Sequence, residues 1–426
     1  MLARQPKSFS FADCPKRWMV VQHGRARWMK QNRSWVEQVS AGLADKLERN
    51  SSAILECLTR YETWGTAHDE IFRSIRTLNG IAREWQYIRD VDQRLTVASF
   101  LPVNQPLYGL TLFGIMPALM VRRVEVRPSW VTADVVSDIW KRISVPELES
   151  RLSIRNTERR HFTRECASES DAVILTGTYA TALSVARAGL KSGSLLIFNG
   201  SGVNPVVVMP DADLGRAADG IIRSVTYNSG QDCAAPKCVL IHSIIADEII
   251  GILASGLRKM NIGSCGDPAV DIGPVARPSS VTNVVDFLTD HRGEVVVGGC
   301  IDVPRRLIHP TLVVSRLDDQ FRFPELYAPV LNIGVFDDPD TVMAFIHSDR
   351  YQRHAMYASV YGSLKGDLLK TTVLRDETVL DHEDGNLPFG GWGTEASFVK
   401  RSGEPPIRGP VLVSAALSTV GQGGGR

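Results

Sequence analysis

A cysteine inside a polar turn is the residue of this chain best suited to chemistry. The segment from Tyr227 to Cys233 reads YNSGQDC, and after Ala-Ala-Pro the chain enters an apolar run from Cys238 to His242. A turn that contains glycine and glutamine, just before a predicted strand, can hold a thiol at one fixed point. As a thiolate, Cys233 could attack an electrophilic carbon. By residue type alone, a buried structural cysteine remains the other interpretation, because free cysteines are among the most buried residues.

A cysteine that attacks a carbonyl needs a donor for the oxyanion, a hydride acceptor and a base that activates water. Asn104 lies between two prolines in the stretch PVNQP and offers an amide donor, although a simple turn residue would look the same. The turn around Gly177 and Thr178 follows a predicted strand and opens a predicted helix, where backbone N–H groups can bind a diphosphate. An ordinary strand-to-helix turn has the same pattern. The sequence offers no evident base.

Composition excludes several classes of partner. The 426 residues are 44% hydrophobic, which is ample for a large core and favours two or three domains. The 48 basic and 47 acidic residues give a net charge of +1, so no nucleic-acid or anionic-membrane surface is expected. No apolar run reaches the roughly 20 residues of a membrane span, and the first residues have no secretory apolar core.

The cysteines indicate a reducing compartment. Seven are scattered along the chain, an odd number that argues against a disulfide framework and for a cytoplasmic protein. No cluster of Cys and His has metal-ligand spacing, so we predict no metal site.

Hydrophobic periodicity predicts the elements that must position Cys233. Residues 17–85 are mainly helical, with apolar side chains at three- and four-residue steps. Short apolar runs then alternate with helical stretches. Strands are predicted at 97–101, 121–126, 171–175, 194–198, 205–209, 238–242 and 331–336, and helices at 108–120, after Pro128, after Gly177, from Leu214, at 246–260 and at 340–348. This alternation predicts an α/β fold with parallel sheets covered by helices on both faces.

Several motifs recur in an ordered series around Cys233. They are PVNQP at 102–106, VRPS at 126–129, LTGT at 175–178, NP at 204–205, PDAD at 210–213, DIGP at 271–274, HPT at 309–311, ELYAPV at 325–330 and PFGG at 388–391. In this order the chain resembles the aldehyde dehydrogenase superfamily from about residue 20 onwards, with a shorter N-terminal part than is usual. The resemblance implies a Rossmann-like cofactor domain with N-terminal helices (1–200), a catalytic domain (201–385) and a bridging or oligomerisation segment with a flexible tail (386–426). It also implies a homodimer or homotetramer.

The resemblance assigns chemical roles to the nucleophile and its partner. Cys233 would add to an aldehyde, hydride would pass to a nicotinamide, and a thioester would remain on the enzyme. The side-chain amide of Asn104 and the backbone N–H of Cys233 would bind the oxyanion. Val103 replaces the tryptophan that is usual before this asparagine.

The resemblance also assigns a site for NAD or NADP. Arg127 replaces the usual lysine that contacts the adenosine ribose, and Ser129 belongs to the same motif; a solvent-facing arginine at a strand end is the alternative. Gly177 and Thr178 would face the diphosphate, although Ala182 replaces a usual glycine. Glu325 would hold the nicotinamide ribose, where a plain surface carboxylate is the alternative. Because arginine binds phosphate well and Trp130 replaces an acidic residue of NAD-preferring members, the sequence favours acceptance of NADP.

One departure from the family pattern leaves the product open. Asn199 stands where the family's glutamate activates the deacylating water, and an amide cannot accept a proton at neutral pH. Three hypotheses follow. The enzyme releases a carboxylate with another group activating water; or it exchanges an aldehyde with an acyl thioester, using coenzyme A as acceptor; or the protein is a non-catalytic homologue.

Overall fold

The computed structural model describes residues 32–420 and contains two large, mainly parallel sheets. The strands are β1 Thr96–Phe100, β2 Arg123–Arg127, β3 Leu152–Ile154, β4 Ala172–Thr176, β5 Leu195–Asn199, β6 Val206–Val208, β7 Val239–His242, β8 Val295–Val297, β9 Ile301–Asp302, β10 Leu307–Ile308, β11 Thr311–Arg316, β12 Val330–Phe336, β13 Tyr357–Tyr361, β14 Thr372–Arg375, β15 Ser397–Arg401 and β16 Ile407–Arg408.

Helices connect and cover these strands. They are α1 Arg33–Arg49, α2 Ser51–Leu58, α3 Trp64–Asn79, α4 Trp85–Ile88, α5 Pro106–Leu110, α6 Met116–Ala118, α7 Ala133–Ile143, α8 Pro146–Glu149, α9 Arg159–Glu165, α10 Tyr179–Arg187, α11 Leu214–Thr226, α12 Ser243–Arg258, α13 Pro278–Asp290, α14 Pro339–His347, α15 Asp349–Gln352, α16 Val379–His382 and α17 Val413–Leu417. A π-helical turn, Thr111–Ile115, joins α5 to α6.

The first sheet has the strand order β16-β15-β5-β4-β1-β2-β3. The strands from β1 to β5 are parallel, and β4 and β5 have four consecutive buried residues each, as expected for strands covered on both faces. Because the chain reverses its direction of strand addition between β1 and β4, the connections that follow these two strands run to opposite faces of the sheet and leave a crevice at the carboxyl ends. In open parallel sheets such a crevice is where ligands bind.

The second sheet has the order β14-β13-β6-β7-β12-β11-β8, with β8 antiparallel to β11. Its two faces carry separate hydrophobic clusters, one under α14 and one under α11 and α12. The turn that contains Cys233 connects α11 to β7. The PDAD motif begins α11, where the Asp213 side chain accepts a hydrogen bond from the N–H of Arg216 at 3.0 Å.

The predicted strands and helices are confirmed to within a few residues for β1, β2, β4–β7, β12 and for α10–α12 and α14. The helical N-terminal region is confirmed from residue 33, while its predicted first part and the predicted flexible tail at 421–426 lie outside the described residues. Sequence analysis assigned no strand to the C-terminal segment. There β15 pairs antiparallel with β5, so this segment completes the first sheet.

Within residues 32–420, no helix has the length and apolar character that crossing a bilayer requires. The six cysteines of this part of the chain are all free thiols.

Candidate active site

The turn before Cys233 has an unusual backbone. Asn228, Ser229 and Gly230 have φ angles of 49°, 55° and 76°, three successive residues in the left-handed region. Asparagine and glycine tolerate this region, which explains part of the local sequence. A Cβ atom on Gly230 would lie 2.2 Å from the carbonyl carbon of Ala328. The turn therefore fixes the chain in one path against the loop that follows Glu325.

Hydrogen bonds from distant segments hold the same turn. The Asn204 side chain donates to the carbonyl of Cys233 at 3.3 Å, and its oxygen accepts from the N–H of Tyr357 at 3.3 Å. The Gln231 side chain donates to the carbonyl of Asn228 at 3.1 Å and accepts from the N–H of Ala276 at 2.7 Å. These contacts explain why an asparagine and a glutamine occur here, and they limit the freedom of the half-buried Cys233.

Cys233 and Asn104 line one cavity at the carboxyl ends of β1, β4 and β5. The space measures about 950 Å³, part of it open to solvent. Asn199 and Thr176 also line it. The remaining wall is largely apolar and includes Leu112, Phe113, Met116, Met120, Leu387 and Phe389. The structure thus brings the predicted nucleophile and oxyanion donor together at the crevice that the strand order defines.

The surroundings of Cys233 favour the neutral thiol. Burial raises the pKa of the Cys233 thiol well above its ordinary value, and the adjacent Asp232 raises it further, while Lys237 acts in the opposite direction. The Asp232 carboxylate accepts a hydrogen bond from the N–H of Ala234 at 2.9 Å. This contact holds the carboxylate in position within the turn of Cys233. In the free protein the cysteine must therefore lose its proton before it can act as a nucleophile.

Removing the charge of Asp232 should make Cys233 more reactive. We expect Asp232→Asn to accelerate alkylation by iodoacetamide several-fold at pH 8, because the asparagine oxygen can still accept from Ala234 while the repulsion on the thiolate is lost. The measurement is the alkylation rate followed by intact mass. Asp219→Asn, an exposed change on α11, is the control. An unchanged or slower rate in Asp232→Asn would contradict the electrostatic account.

β5 ends at Asn199, whose side chain is an amide and not a carboxylate base. Asn199 pairs with Thr176 in the first sheet and lines the cavity, and its carbonyl accepts a hydrogen bond from the N–H of Gly177 at 3.0 Å. The hydroxyl of Thr176 is buried and has no hydrogen-bond partner among residues 32–420. A buried polar atom of this kind at the cavity wall fits a bound polar group such as a carboxamide.

Arg127 and Ser129 lie together in a second, open groove of about 1850 Å³ beyond the end of β2. The Arg127 side chain donates to the carbonyl of Thr157 at 3.0 Å, and burial together with the nearby Arg159 lowers its pKa. Arg159, Arg160 and Arg277 line the same groove, against one carboxylate, Glu158. This excess of arginine suits a phosphate group. Sequence analysis identified Arg127 but missed the other three, which come from α9 and from the start of α13.

Glu325 lies in a third depression of about 980 Å³, with Lys237 and Ser201. Its carboxylate is 3.0 Å from the Lys237 ammonium. Burial opposes ionisation, but Lys237 and hydrogen bonds from Ser201 and Tyr327 hold the pKa of Glu325 below its ordinary value. Glu325 is therefore a charged acceptor.

Gly177 and Thr178 are placed at the start of α10. The Thr178 hydroxyl caps this helix by accepting from the N–H of Thr181 at 3.2 Å, and the N–H of Gly177 is bound to Asn199. Neither residue lines the cavity of Cys233 or the groove of Arg127. Thr178 therefore caps α10 and Gly177 is held against the end of β5, while the contact of both residues with a diphosphate stays a prediction.

A buried charge network flanks the cavity. Arg73 on α3, whose side chain is 6% exposed, contacts Asp69 at 2.8 Å and Glu383 at 2.6 Å and also binds the Tyr227 hydroxyl. Glu383 directly follows α16 and lines the cavity of Cys233. Sequence analysis missed Glu383, because its partner is 310 residues away in the chain. Among the described residues no cluster of His, Cys, Asp and Glu side chains could hold a metal ion.

These features define a class: an α/β protein with two parallel sheets and a cysteine at the crevice of the first. Comparisons with known proteins agree. A model of the aldehyde dehydrogenase family matches residues 129–393. The chain belongs to this family.

Individual relatives are distant. The chain is 30% identical over 224 residues to a lactaldehyde dehydrogenase of Methanocaldococcus jannaschii, covering 51% of this chain and 45% of the relative. It is 27% identical over 265 residues to an NADP-dependent succinate-semialdehyde dehydrogenase of Mycobacterium avium, covering 60% and 56%. The chain spans about half the length of the curated relatives it matches.

A solved succinic semialdehyde dehydrogenase of Streptococcus pyogenes, in complex with NADP⁺, superposes with a TM-score of 0.74 at 15% identity. The superposition covers 92% of this chain and 90% of the solved chain. At this identity the likeness concerns the fold alone.

Proposed function

We propose that this protein oxidises an aldehyde to a carboxylate with a nicotinamide dinucleotide as hydride acceptor. The observation that carries the proposal is that Cys233 and Asn104, which are 129 positions apart in the sequence numbering, line one cavity at the crevice of the first sheet. A non-catalytic scaffold needs neither a thiol nor an amide at such a place. Membership of the aldehyde dehydrogenase family supports the same reaction class.

Cys233 and Asn104 divide the first step between them. After proton loss, the Cys233 sulfur attacks the aldehyde carbon and forms a thiohemiacetal. The Asn104 amide and the Cys233 N–H donate to the oxygen that becomes negatively charged, which is worth a few kcal/mol per donor in a preorganised site. The hydrogen bond from Asn204 to the Cys233 carbonyl keeps this peptide in place. Loss of hydride then converts the thiohemiacetal into a thioester.

The residues of this chain fit a nicotinamide dinucleotide, which when bound supplies the two-electron acceptor. Thr176 offers a buried hydroxyl at the cavity wall that no other described residue binds, and Glu325 offers a charged acceptor for ribose hydroxyls. The arginine-lined groove around Arg127 and Ser129 suits the 2′-phosphate of NADP. The similar enzyme of Mycobacterium avium is NADP-dependent, and the similar Streptococcus pyogenes structure contains NADP⁺. We therefore infer that NADP is accepted.

The wall of the cavity indicates the substrate class. Apolar side chains from the π-helical turn, α6 and the PFGG segment surround the space next to Cys233. Burial of apolar substrate surface against them contributes about 25 cal/mol per Å². We propose an aldehyde with an apolar body, such as an alkyl or aryl chain.

A second function is favoured by one residue. Because Asn199 cannot accept a proton, the acyl group could instead pass to a thiol, with coenzyme A as the acceptor and an acyl thioester as the product. Thiolysis needs no water-activating base at this position.

The acyl acceptor decides between the two functions. Octanal and benzaldehyde serve as probes, with NAD and NADP in parallel, and reduced cofactor is followed with and without coenzyme A. We expect an initial burst of about one equivalent followed by steady turnover in water alone, with the carboxylate as product. A burst that continues only when coenzyme A is present would establish the acylating function. Absence of any burst with every probe would reject both.

A further inference from the structure

The proposed hydrolysis of the thioester requires a base, and Asn199 cannot be it. In the described part of the chain, four carboxyl groups line the cavity of Cys233: Glu84, Asp232, Glu383 and Asp384. Each can be judged by the contacts that it already makes. The inference rests on the proposed oxidation to a carboxylate.

Two of the four have both oxygens bound, and a third is more buried than Glu383. Both oxygens of Asp384 are bound by the Arg83 guanidinium at 2.7 and 2.9 Å. Glu84 is 2% exposed, and its oxygens accept from Asn386 at 2.7 Å and from Ser414 at 2.6 Å. Asp232 accepts one hydrogen bond, from the N–H of Ala234, but at 4% exposure it offers a water molecule less access than the Glu383 side chain does.

Glu383 differs from these three. Its side chain is 12% exposed and lines the cavity, and Arg73 contacts its oxygen Oε2 at 2.6 Å. A carboxylate has about four lone-pair sites, so one arginine contact leaves room to accept a proton from a water molecule. The charge of Glu383 also acts on the Cys233 thiol, which places the two groups in one electrostatic environment.

The titration of Glu383 suits a base at neutral pH. Burial raises its pKa to about 7, Arg73 opposes that rise, and the carboxylates of Asp232 and Asp69 add to it. The guanidinium of Arg76 binds the backbone carbonyl of Glu383. The other titratable or charged groups around Glu383 are Tyr108, Tyr227, Tyr357, Cys233 and Asp384. A catalytic group works best when its pKa lies near the working pH.

We propose that Glu383 is the general base that activates water for hydrolysis of the Cys233 thioester. Its carboxylate takes one proton from water while the water oxygen bonds to the thioester carbon. The carbon–sulfur bond then breaks, the sulfur leaves as a thiolate, and the carboxylic acid product departs. The proton on Glu383 passes to the Cys233 sulfur or to solvent, and no oxidation or reduction occurs in this step.

Arg73 is a positioning residue in this account. It is held by Asp69 and by the Tyr227 hydroxyl, so its guanidinium fixes Glu383 at the cavity edge. Tyr227 begins the turn that ends in Cys233. The network therefore ties the base and the nucleophile to the same helix, α3.

Glu383→Gln separates the two chemical steps. With octanal and NADP, we expect the burst of about one equivalent to remain and steady turnover to fall about 100-fold or more, the usual contribution of a general base. Intact mass should then show the acyl group on Cys233. Hydroxylamine, a nucleophile that needs no base, should restore turnover. Unchanged turnover in Glu383→Gln would overturn the proposal. Loss of the burst would also overturn it, provided that the Tm of the variant equals that of the wild type.

Glu377→Gln is the matched control. Glu377 is an exposed carboxylate six residues before Glu383 and lies outside the lining of the cavity, so steady turnover at pH 8 should stay within about twofold of the wild type. A fall as large as that of Glu383→Gln would show that loss of any carboxylate in this segment lowers turnover, and would overturn the assignment of the base.

The wild-type protein provides a test if Glu383→Gln does not fold. Turnover limited by hydrolysis should fall as the pH drops through about 7, where Glu383 becomes protonated, and should level off above it. A hydrolysis rate that is flat from pH 5 to pH 9 would overturn the proposal. Failure of the proposed oxidation itself would look different, because the wild type would then show no burst.

Discussion

Replacing Cys233 by alanine is expected to abolish both the burst of reduced cofactor and steady turnover, with kcat falling by about 10⁴-fold or more. In the proposed mechanism every later step takes place on the sulfur, so without it neither the thiohemiacetal nor the thioester can form. Cys233 lines the cavity together with Asn104, so removing one side chain leaves the oxyanion donor without a reaction to stabilise. Stopped-flow measurement with octanal and NADP gives both quantities.

Cys300→Ala is the control for this result, because Cys300 is an exposed free thiol far along the chain from the turn. It should leave burst and turnover unchanged. A burst that survives in Cys233→Ala, at any amplitude close to one equivalent, would show that the nucleophile lies elsewhere.

Asn104→Ala is expected to lower the rate of the burst by about 10²- to 10³-fold, the cost of removing one oxyanion donor. Asn104 follows β1 and is half-buried at the cavity wall, between Val103 and Gln105, whose φ angle of 54° sets the start of α5. A side-chain amide held by such a backbone needs little reorganisation to meet the developing charge. The backbone N–H of Cys233 would remain as the second donor, which is why activity should fall without vanishing.

The alkylation rate of Cys233 distinguishes this effect from a disturbed turn. In Asn104→Ala it should match the wild type, because the contacts that hold the turn come from Asn204 and Gln231. A burst rate within about threefold of the wild type would remove Asn104 from the oxyanion site.

Local sequence determined much of the architecture. The apolar β-branched runs at β1, β4 and β5 predicted buried parallel strands, since a strand covered on both faces needs an unbroken apolar stretch. The PDAD motif predicted the start of α11, and the structure places its last residue, Asp213, at the N-cap of that helix. The turn before Cys233 was recognised from its residue types, because glycine and asparagine favour backbone conformations that other residues avoid.

Contacts between segments that are distant in the chain were not predicted. The segment 397–401 formed β15 by pairing antiparallel with β5, a choice that depends on what the sheet edge offers and not on the segment alone. The roles of Asn204 and Arg277 were also missed, because their sequence neighbours do not contact the groups that they serve.

The sequence by itself determined the fold class, and it predicted Cys233 as nucleophile, Asn104 as oxyanion donor and an amide, Asn199, in place of the family's base. Only the tertiary structure decided that Glu383 lines the cavity of Cys233 and contacts Arg73. Glu383 and Arg73 are 310 residues apart, and the pKa of Glu383 depends on burial that no local pattern contains. Spacing along a chain reports local backbone preferences, whereas the charge state of a buried group depends on everything that packs around it.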